Sequence, residues 1–405
     1  MKKILFLLFS FFFLFSVEAK ELEPLSKNVV LFNLDNNEII YEKNSEEKIR
    51  IASLTKIMTS ITAIEMIDNL DDTVVVREHM IKGLIEANAK VVGFKSGDIV
   101  TYRDLLYGTL LESGADATRI LAISLVGSEE EFVKLMNNKA KALGMNNTNF
   151  TNSSGLDTLN QYSTVLDVSI GLRYALFNPI FKEAYTTKEY ISSNNIKMFN
   201  TMYKTSEKYN IDVDYITGSK TGYTTKAGYC LSSIASYNGI NYLLITTGAY
   251  GYEDIPYHIV DSKQIYEYYF DNYLYYKVIE NGQLLVSIDN KFSDNTVDIL
   301  ASEDLYEYLF KDDIDNLEFQ YEGFNEVSIF TSKNEKIGVL NISLNNEIIK
   351  SIDIYLPSKI DFNIIKFLFK YFYIVLIPII FIIFIIFYKR IKYANKTNWS
   401  WIFKN

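Results

Sequence analysis

The spacing of apolar residues changes several times along the chain. Two short runs rich in Val, Leu and Ile, 29–34 and 38–42, flank Asp35-Asn36-Asn37, a turn-forming trio, and predict a hairpin. From Ser53 onward, Leu54, Ile57, Met58, Ile61 and Ile64 recur at three and four residues, which is one apolar face of a helix opened by Ser53. Further helices are expected over 115–126 and over 129–143, the second stopped by Gly144. The period then returns to that of strands. A strand over 215–223 precedes two more, 229–237 and 240–247, joined by Asn238-Gly239. That dipeptide accepts the positive dihedrals of a tight type I′ turn and is the strongest hairpin signal in the chain. A helix follows over 260–272. Strands and helices both early and late predict an α+β domain, an antiparallel sheet flanked by helices. After about Lys277 the texture shifts to short runs, 284–288, 327–331, 338–344 and 348–355, separated by Asn, Asp and Ser. These predict a small, mostly β domain that acts as a spacer.

The two ends carry a different pattern. Lys2 and Lys3 precede an unbroken apolar stretch, 4–15, and then Val17-Glu18-Ala19, which reads as a secretory signal peptide with a mature start near Lys20. Near the other end, 371–388 has no charge, consists mostly of Ile and Phe, and is followed by Lys389, Arg390, Lys392 and Lys396. This reads as a transmembrane helix, with Pro378 at a position able to kink it. Cationic flanks lie on the cytoplasmic side, so the basic tail is expected inside the cell and everything before Lys366 outside. The expected plan is a signal peptide at 1–19, a main domain at 20–275, the β-rich domain at 276–362, a membrane helix at 363–388 and a cytoplasmic tail at 389–405.

Composition narrows the chemistry. A net charge of -10 argues against a nucleic-acid partner. The single cysteine, Cys230, makes no internal disulfide, so an exported chain must rely on packing. Only two histidines are present, His79 and His258. A metal site built on imidazoles is therefore not expected, no cofactor is called for, and a serine enzyme would need a base other than histidine.

Three short motifs offer that chemistry. In Ser53-Leu54-Thr55-Lys56, helical positions i and i+3 bring an amine toward a hydroxyl, about 5 to 6 Å between Cβ atoms. A lysine can take the serine proton if its pKa is lowered by desolvation or by a nearby cation such as Lys220. The helix N-terminus adds backbone N–H groups where an oxyanion would form. Alone the motif is weak, since roughly one or two S-x-x-K matches are expected by chance, and Ser53 could be a simple N-cap. Ser45-Glu46-Glu47-Lys48 has the same spacing, but its two acids would hold a lysine charged and no apolar helix begins there. Ser113-Gly114-Ala115 stands at the start of the next helix, where Ser113 could relay a proton or merely cap. Lys220-Thr221-Gly222 lies on the strand before the Asn-Gly hairpin: a cation for a carboxylate, a hydroxyl donor, and a glycine that lets a ligand backbone approach.

The ordered trio S-x-x-K, a serine motif at the next helix and K-T-G resembles the D-alanyl-D-alanine carboxypeptidase family of low-molecular-mass penicillin-binding proteins. The stretch from Met136 to Met145, then Thr148, Phe150, Asn152 and Gly155-Leu156-Asp157, also resembles that family, as do Tyr162-Ser163-Thr164, Thr221-Gly222-Tyr223-Thr224 and Ala227-Gly228-Tyr229-Cys230. The resemblance implies a β-lactamase/transpeptidase-like fold and an acyl-enzyme route. Ser53 would attack the carbonyl between two terminal D-alanines of a peptidoglycan stem peptide while Lys56 accepts its proton. The N–H groups of Ser53 and Tyr223 would form the oxyanion hole, Ser113 would pass the proton on, and Lys220 with Thr221 and Gly222 would hold the terminal carboxylate. β-Lactam antibiotics would trap Ser53 covalently, and the cytoplasmic membrane would be the other partner. Three departures stand out: Ala115 replaces the usual Asn of the second motif, Ile51 a common proline, and His258 a family arginine near the carboxylate site, which is expected to weaken anion binding at neutral pH. The alternatives are a β-lactamase, for which no glutamate loop is evident, and a catalytically weak binding or scaffold protein, which Ala115 makes conceivable.

Overall fold

The structure, a computed structural model, describes residues 22–251, 255–293 and 295–402. The expected signal peptide lies outside the described residues. The chain forms two compact units divided between Asp271 and Asn272.

The first unit is α+β, built on a five-stranded sheet whose order is β2-β1-β9-β8-β7, with every neighbouring pair antiparallel. Its strands are β1 (Asn28–Asn33), β2 (Glu38–Lys43), β7 (Ile216–Thr224), β8 (Gly228–Tyr237) and β9 (Ile240–Ala249). All six residues of β1 are buried, as a strand hydrogen-bonded on both sides and covered on both faces requires. The β8–β9 hairpin turns as expected, with Asn238 at φ 50° and Gly239 at φ 82°. β7 is left at one edge. The two short ribbons are β3 (Thr73–Val75) with β4 (Ile99–Thr101), and β5 (Glu189–Ile191) with β6 (Lys197–Phe199).

The helices are α1 (Thr55–Ile64), α2 (Glu78–Ile81), α3 (Tyr102–Leu110), α4 (Ala115–Val126), α5 (Glu129–Ala142), α6 (Val165–Leu176), α7 (Pro179–Thr186), α8 (Thr201–Tyr209) and α9 (Tyr257–Asn272). α4 and α5 follow the expected spans and are closed by Gly127 at φ 89° and Gly144 at φ 84°. The Ser128 side chain caps α5, three glutamates follow in its first turn, and Lys139 and Lys141 lie in its last turn, complementing the helix dipole.

α1 departs from expectation in two ways. It is not amphipathic toward solvent: all ten of its residues are buried, with α3, α4, α5, α6 and α7 packed around it. Its polar side faces a loop of the protein instead of water. Nor does Ser53 open the α-helix. Ala52–Leu54 form a single 3₁₀ turn leading into α1, and Leu54 takes the N-cap position with no side-chain cap. The turn is entered through Ala52 at φ 45°, a conformation a periodicity argument does not reveal.

The second unit is mostly β. It holds β10 (Tyr273–Ile279) paired with β13 (Leu305–Phe310), a sheet β12-β11-β15 made of β11 (Leu284–Asn290), β12 (Thr296–Leu300) and β15 (Glu326–Val327), and a sheet β14-β16-β17 made of β14 (Leu317–Gly323), β16 (Lys336–Leu344) and β17 (Glu347–Tyr355). Its own core includes Val278, Ile288, Ile299, Val327, Leu340, Ile342 and Ile354. The expected strand over 327–331 stops after Val327. The Thr331 N–H turns back to the Ser328 carbonyl at 2.9 Å and the Ser328 N–H reaches Thr331 Oγ1 at 3.1 Å, a local bonding pattern that competes with a ladder.

The expected membrane segment is two helices, α10 (Ile364–Lys370) and α11 (Phe372–Ile402). Asn363 caps α10, and Phe367 packs edge-on against Phe292 of the β unit with centroids 5.5 Å apart. The Tyr371 hydroxyl between the helices donates to the Lys291 carbonyl at 2.7 Å. Within α11, Phe372–Tyr393 is long and apolar enough to cross a membrane, and the helix runs on through Pro378.

Candidate active site

Four segments far apart in sequence meet around the 3₁₀ turn at 52–54: that turn with α1, the start of α4, the loop at 152–157, and β7. With residues 87–90 and the start of α9, they line a cleft of about 790 Å³ whose walls include Ser53, Lys56, Lys90, Ser113, Ala115, Ser154, Thr221, Gly222, Tyr223 and His258. Every residue predicted from the three motifs therefore reaches one place, except that Lys220 lies just behind the wall, on the strand that forms it.

Lys56 Nζ lies 2.9 Å from Ser53 Oγ and donates to the Ser154 carbonyl at 2.5 Å. The lysine is only 2 % exposed. Burial, reinforced by the Lys90 ammonium and opposed by Asp116, lowers its pKa to about 7, so near neutral pH much of it is an unprotonated amine. Lys220, 1 % exposed, also falls well below its usual range, by burial first and then by repulsion from Lys56 and Lys90. Two buried amines in one cleft do not both hold protons cheaply, and deprotonating one relieves the other.

The loop at 152–161 makes this arrangement possible. Asn152 Oδ1 accepts the N–H groups of Ser154, Gly155 and Leu156 at 3.2, 2.7 and 3.2 Å, curling the chain so that the Ser154 carbonyl faces Lys56. The same loop also meets part of the polar side of α1: Thr59 Oγ1 donates to the Ser153 carbonyl at 2.6 Å, and Gln161 Nε2 donates to Thr55 Oγ1 at 3.3 Å, while Ser60 Oγ and Thr62 Oγ1 are buried without a partner among the described residues. Gly155, at φ +86°, is required by contact as well as conformation, because a methyl there would lie 1.9 Å from the Ala52 carbonyl oxygen. Gly222 is the matching case on β7, where a methyl would lie 2.9 Å from the Ser53 backbone nitrogen.

Backbone strain concentrates here. Among the described residues, twelve that are not glycine have positive φ; ten are asparagines, and the other two are Ala52 and Ser113 at φ 61°. Alanine and serine gain little from that region, at a cost of about 1–3 kcal/mol each, and such outliers collect at functional sites.

Other side chains set the remaining walls. Ala115 brings only a methyl into the cleft. Asp116 points away from it and accepts the N–H groups of Val92, Gly93 and Phe94 at 2.8, 2.9 and 3.2 Å, fastening residues 92–94 to α4. Thr221 Oγ1 is hydrogen-bonded to Thr201 Oγ1 at the start of α8. His258 stacks on Tyr229, with planes 3° apart and centroids at 5.0 Å; burial drives its pKa down to about 4, so it is neutral, and its Nδ1 has no partner among the described residues. Sequence reasoning missed Lys90, which sits in a stretch without periodicity, and missed the role of Ser154, whose contribution is a carbonyl and leaves no side-chain signature.

Similarity to known proteins agrees with this geometry. Residues 15–251 match the family model described as D-alanyl-D-alanine carboxypeptidase, and residues 273–361 match the C-terminal domain of penicillin-binding protein 5. The chain is 28% identical over 340 residues to the D-alanyl-D-alanine carboxypeptidase DacF of Bacillus subtilis, covering 82% of this chain and 85% of that protein. It is 34% identical over 241 residues to DacC of Escherichia coli, covering 58% of each. Among solved structures, penicillin-binding protein 5 of Haemophilus influenzae superposes with a TM-score of 0.60 at 26% identity, over 83% of this chain and 98% of that one. The fold also matches the carboxypeptidase DacD of Francisella tularensis, with a TM-score of 0.65 at 24% identity, over 84% and 95% of the two chains. The chain belongs to the D-alanyl-D-alanine carboxypeptidase family and is a serine peptidase of the penicillin-binding protein 5 type, with a catalytic domain followed by an all-β domain.

Proposed function

We propose that this enzyme removes the terminal D-alanine from peptidoglycan stem peptides through an acyl-enzyme on Ser53, with Lys56 as the base. The observation that carries the reading is the Lys56 amine, buried, with its pKa near neutrality and 2.9 Å from the serine hydroxyl. As Ser53 Oγ forms its bond to the carbonyl carbon between the two D-alanines, its proton passes to Lys56 Nζ. The developing oxyanion is held by the backbone N–H groups of Ser53 and Tyr223. The C–N bond then breaks while the proton moves from Lys56, by way of the Ser113 hydroxyl, to the departing amine. Water hydrolyses the ester and frees Ser53.

Lys220, Thr221 and Gly222 receive the terminal carboxylate along the edge of β7, where a peptide can add as a further strand. A protonated Lys220 is favoured once a carboxylate enters, because the anion opposes the desolvation that lowers its pKa. His258 takes part at this end as a neutral wall, so the subsite relies on Lys220 and hydroxyl donors. Penicillins acylate the same serine. Ala115, buried and apolar, leaves the nucleophile and base untouched, which favours an active enzyme over a mute scaffold.

Residues 20–275 are the catalytic domain in this reading and 276–362 the spacer. α11 crosses the cytoplasmic membrane with the catalytic domain outside and the basic tail inside. The test is intact-protein mass spectrometry after a labelled penicillin, with a D-alanine release assay on a D-Ala-D-Ala peptide. One adduct, absent in Ser53→Ala, is expected; equal labelling of both proteins removes the assignment.

A further inference from the structure

The reaction as described uses Lys56 and Lys220, but the cleft holds a third lysine. Lys90 is tied into the site at both ends. Its carbonyl accepts the Ala115 N–H at 2.7 Å, which sets its backbone against the first residue of α4. Its Nζ lies 3.2 Å from Glu112 Oε2, one residue before Ser113. Glu112 is itself fixed, because its Oε1 accepts the Phe199 N–H at 2.7 Å. The side chain of Lys90 is half exposed and lines the cleft with Ser53, Lys56, Ser113 and Ala115. Because residue 115 is an alanine, the first turn of α4 brings no polar group to this wall. Lys90 supplies the cation there.

The charges around the two amines decide the sign of the effect. Lys56 is faced by Lys90 and Asp116, and it repels Lys220 on β7. The Asp116 carboxylate is turned to the N–H groups of residues 92–94. The Lys90 pKa is itself lowered from the ordinary lysine range, by partial burial first; Glu112 opposes this by favouring its charge, and Lys204 of α8 adds to it. A fixed positive charge at this wall disfavours a second one on Lys56.

We propose that Lys90 is a positioning residue for the acylation step: its ammonium, tethered by Glu112, keeps Lys56 in the neutral, proton-accepting form. The inference rests on the Ser53 and Lys56 roles proposed above. No bond to Lys90 forms or breaks, and its effect reaches the substrate only through Lys56.

The test is the second-order rate constant for acylation by a fluorescent penicillin, measured on the full chain in detergent from pH 5.5 to 9. That profile reports the free enzyme's ionisations. In Lys90→Met the acid limb moves upward by about half to one pH unit, so acylation at the foot of the limb falls roughly three- to tenfold. The shift shrinks in high salt, since the cation is partly exposed. Lys90→Arg keeps the limb in place. The double variant Lys90→Met/Glu112→Gln removes the carboxylate that the single change leaves unpaired, and its limb also stays raised. A limb unmoved in Lys90→Met, or restored in the double variant, overturns the proposal. Protection of the buried Cys230 thiol in each variant distinguishes a folded protein from a collapsed one. Absence of Ser53-dependent labelling in the parent at every pH would instead remove the underlying assignment.

Discussion

Replacing Lys56 by methionine should destroy acylation while stabilising the catalytic unit, and the stabilisation should depend on pH in a calculable way. Methionine has nearly the same length and no charge to desolvate. In the folded protein Lys56 has a pKa of about 7 against an ordinary value of 10.5, so between these values the unfolded chain binds the extra proton. Stability therefore rises with pH through that window in the parent, and the burden of the buried charge is greatest below pH 7. From pH 6 to pH 9 the parent recovers roughly two pKa units' worth, about 3 kcal/mol, that the methionine variant never lost. Lost hydrogen bonds to Ser53 and the Ser154 carbonyl offset part of the gain by about 1 kcal/mol each at either pH, leaving the difference intact. The chain offers its own probe, because its single cysteine, Cys230, is fully buried in β8 of this unit. Samples equilibrated in urea at pH 6 or pH 9 can be jumped to a common pH for a brief alkylation pulse, which scores the unfolded fraction. The variant should exceed the parent by about 3 kcal/mol more at pH 6 than at pH 9. A difference independent of pH would refute a Lys56 that titrates near neutrality.

Other outcomes follow from the same geometry. Penicillin acylation of the parent should rise tenfold per pH unit below about pH 7 and level off above it, as Lys56 loses its proton; a rate that falls across that range in a pH-jump assay would assign the limb to another group. Gly155→Ala forces a methyl to within 1.9 Å of a backbone oxygen at positive φ, so urea titration should show a loss of about 2–4 kcal/mol together with weak labelling; wild-type labelling would mean that the Ala52 carbonyl is free to move. Lys220→Ala should raise KM for a D-Ala-D-Ala peptide at least tenfold more than for its C-terminal amide, and equal changes would detach Lys220 from the carboxylate. Ending the chain at residue 370 should release it from vesicles in a flotation assay, whereas continued flotation would move the anchor off α11.

Local chemistry accounts for what the sequence disclosed. Asn238-Gly239 names its turn because few other residues adopt its dihedrals, and Gly127 and Gly144 end their helices for the same reason. Ser53, Lys56, Ser113 and Lys220 stood out because each belongs to a short motif that adjoins or lies on a periodic element: α1 carries Lys56 and follows Ser53, α4 follows Ser113, and β7 carries Lys220. What was hidden depends on partners distant in the chain. Thr55, Lys56 and Thr59 look like the wet side of α1 until the 152–161 loop covers them. Val327 to Thr331 has strand-forming residues, but Ser328 and Thr331 bond each other. Lys90 carries no pattern at all; only its fold neighbours Glu112 and Ala115 give it a place. The break at Tyr371 is likewise set by the β unit, through Phe292 and the Lys291 carbonyl.

β7 ends the five-stranded sheet, and its outer rim is where a substrate is proposed to dock. An unpaired rim would also accept a strand from a neighbouring molecule, which is how many β proteins clump. Here the 3₁₀ turn and α8 pack beside it, with Lys220 buried behind it, so that Thr221, Gly222 and Tyr223 face a recess instead of a bare edge. The recess that selects the substrate thus doubles as protection against self-association, and changes that widen it for larger peptides should be screened for solubility as well as for turnover.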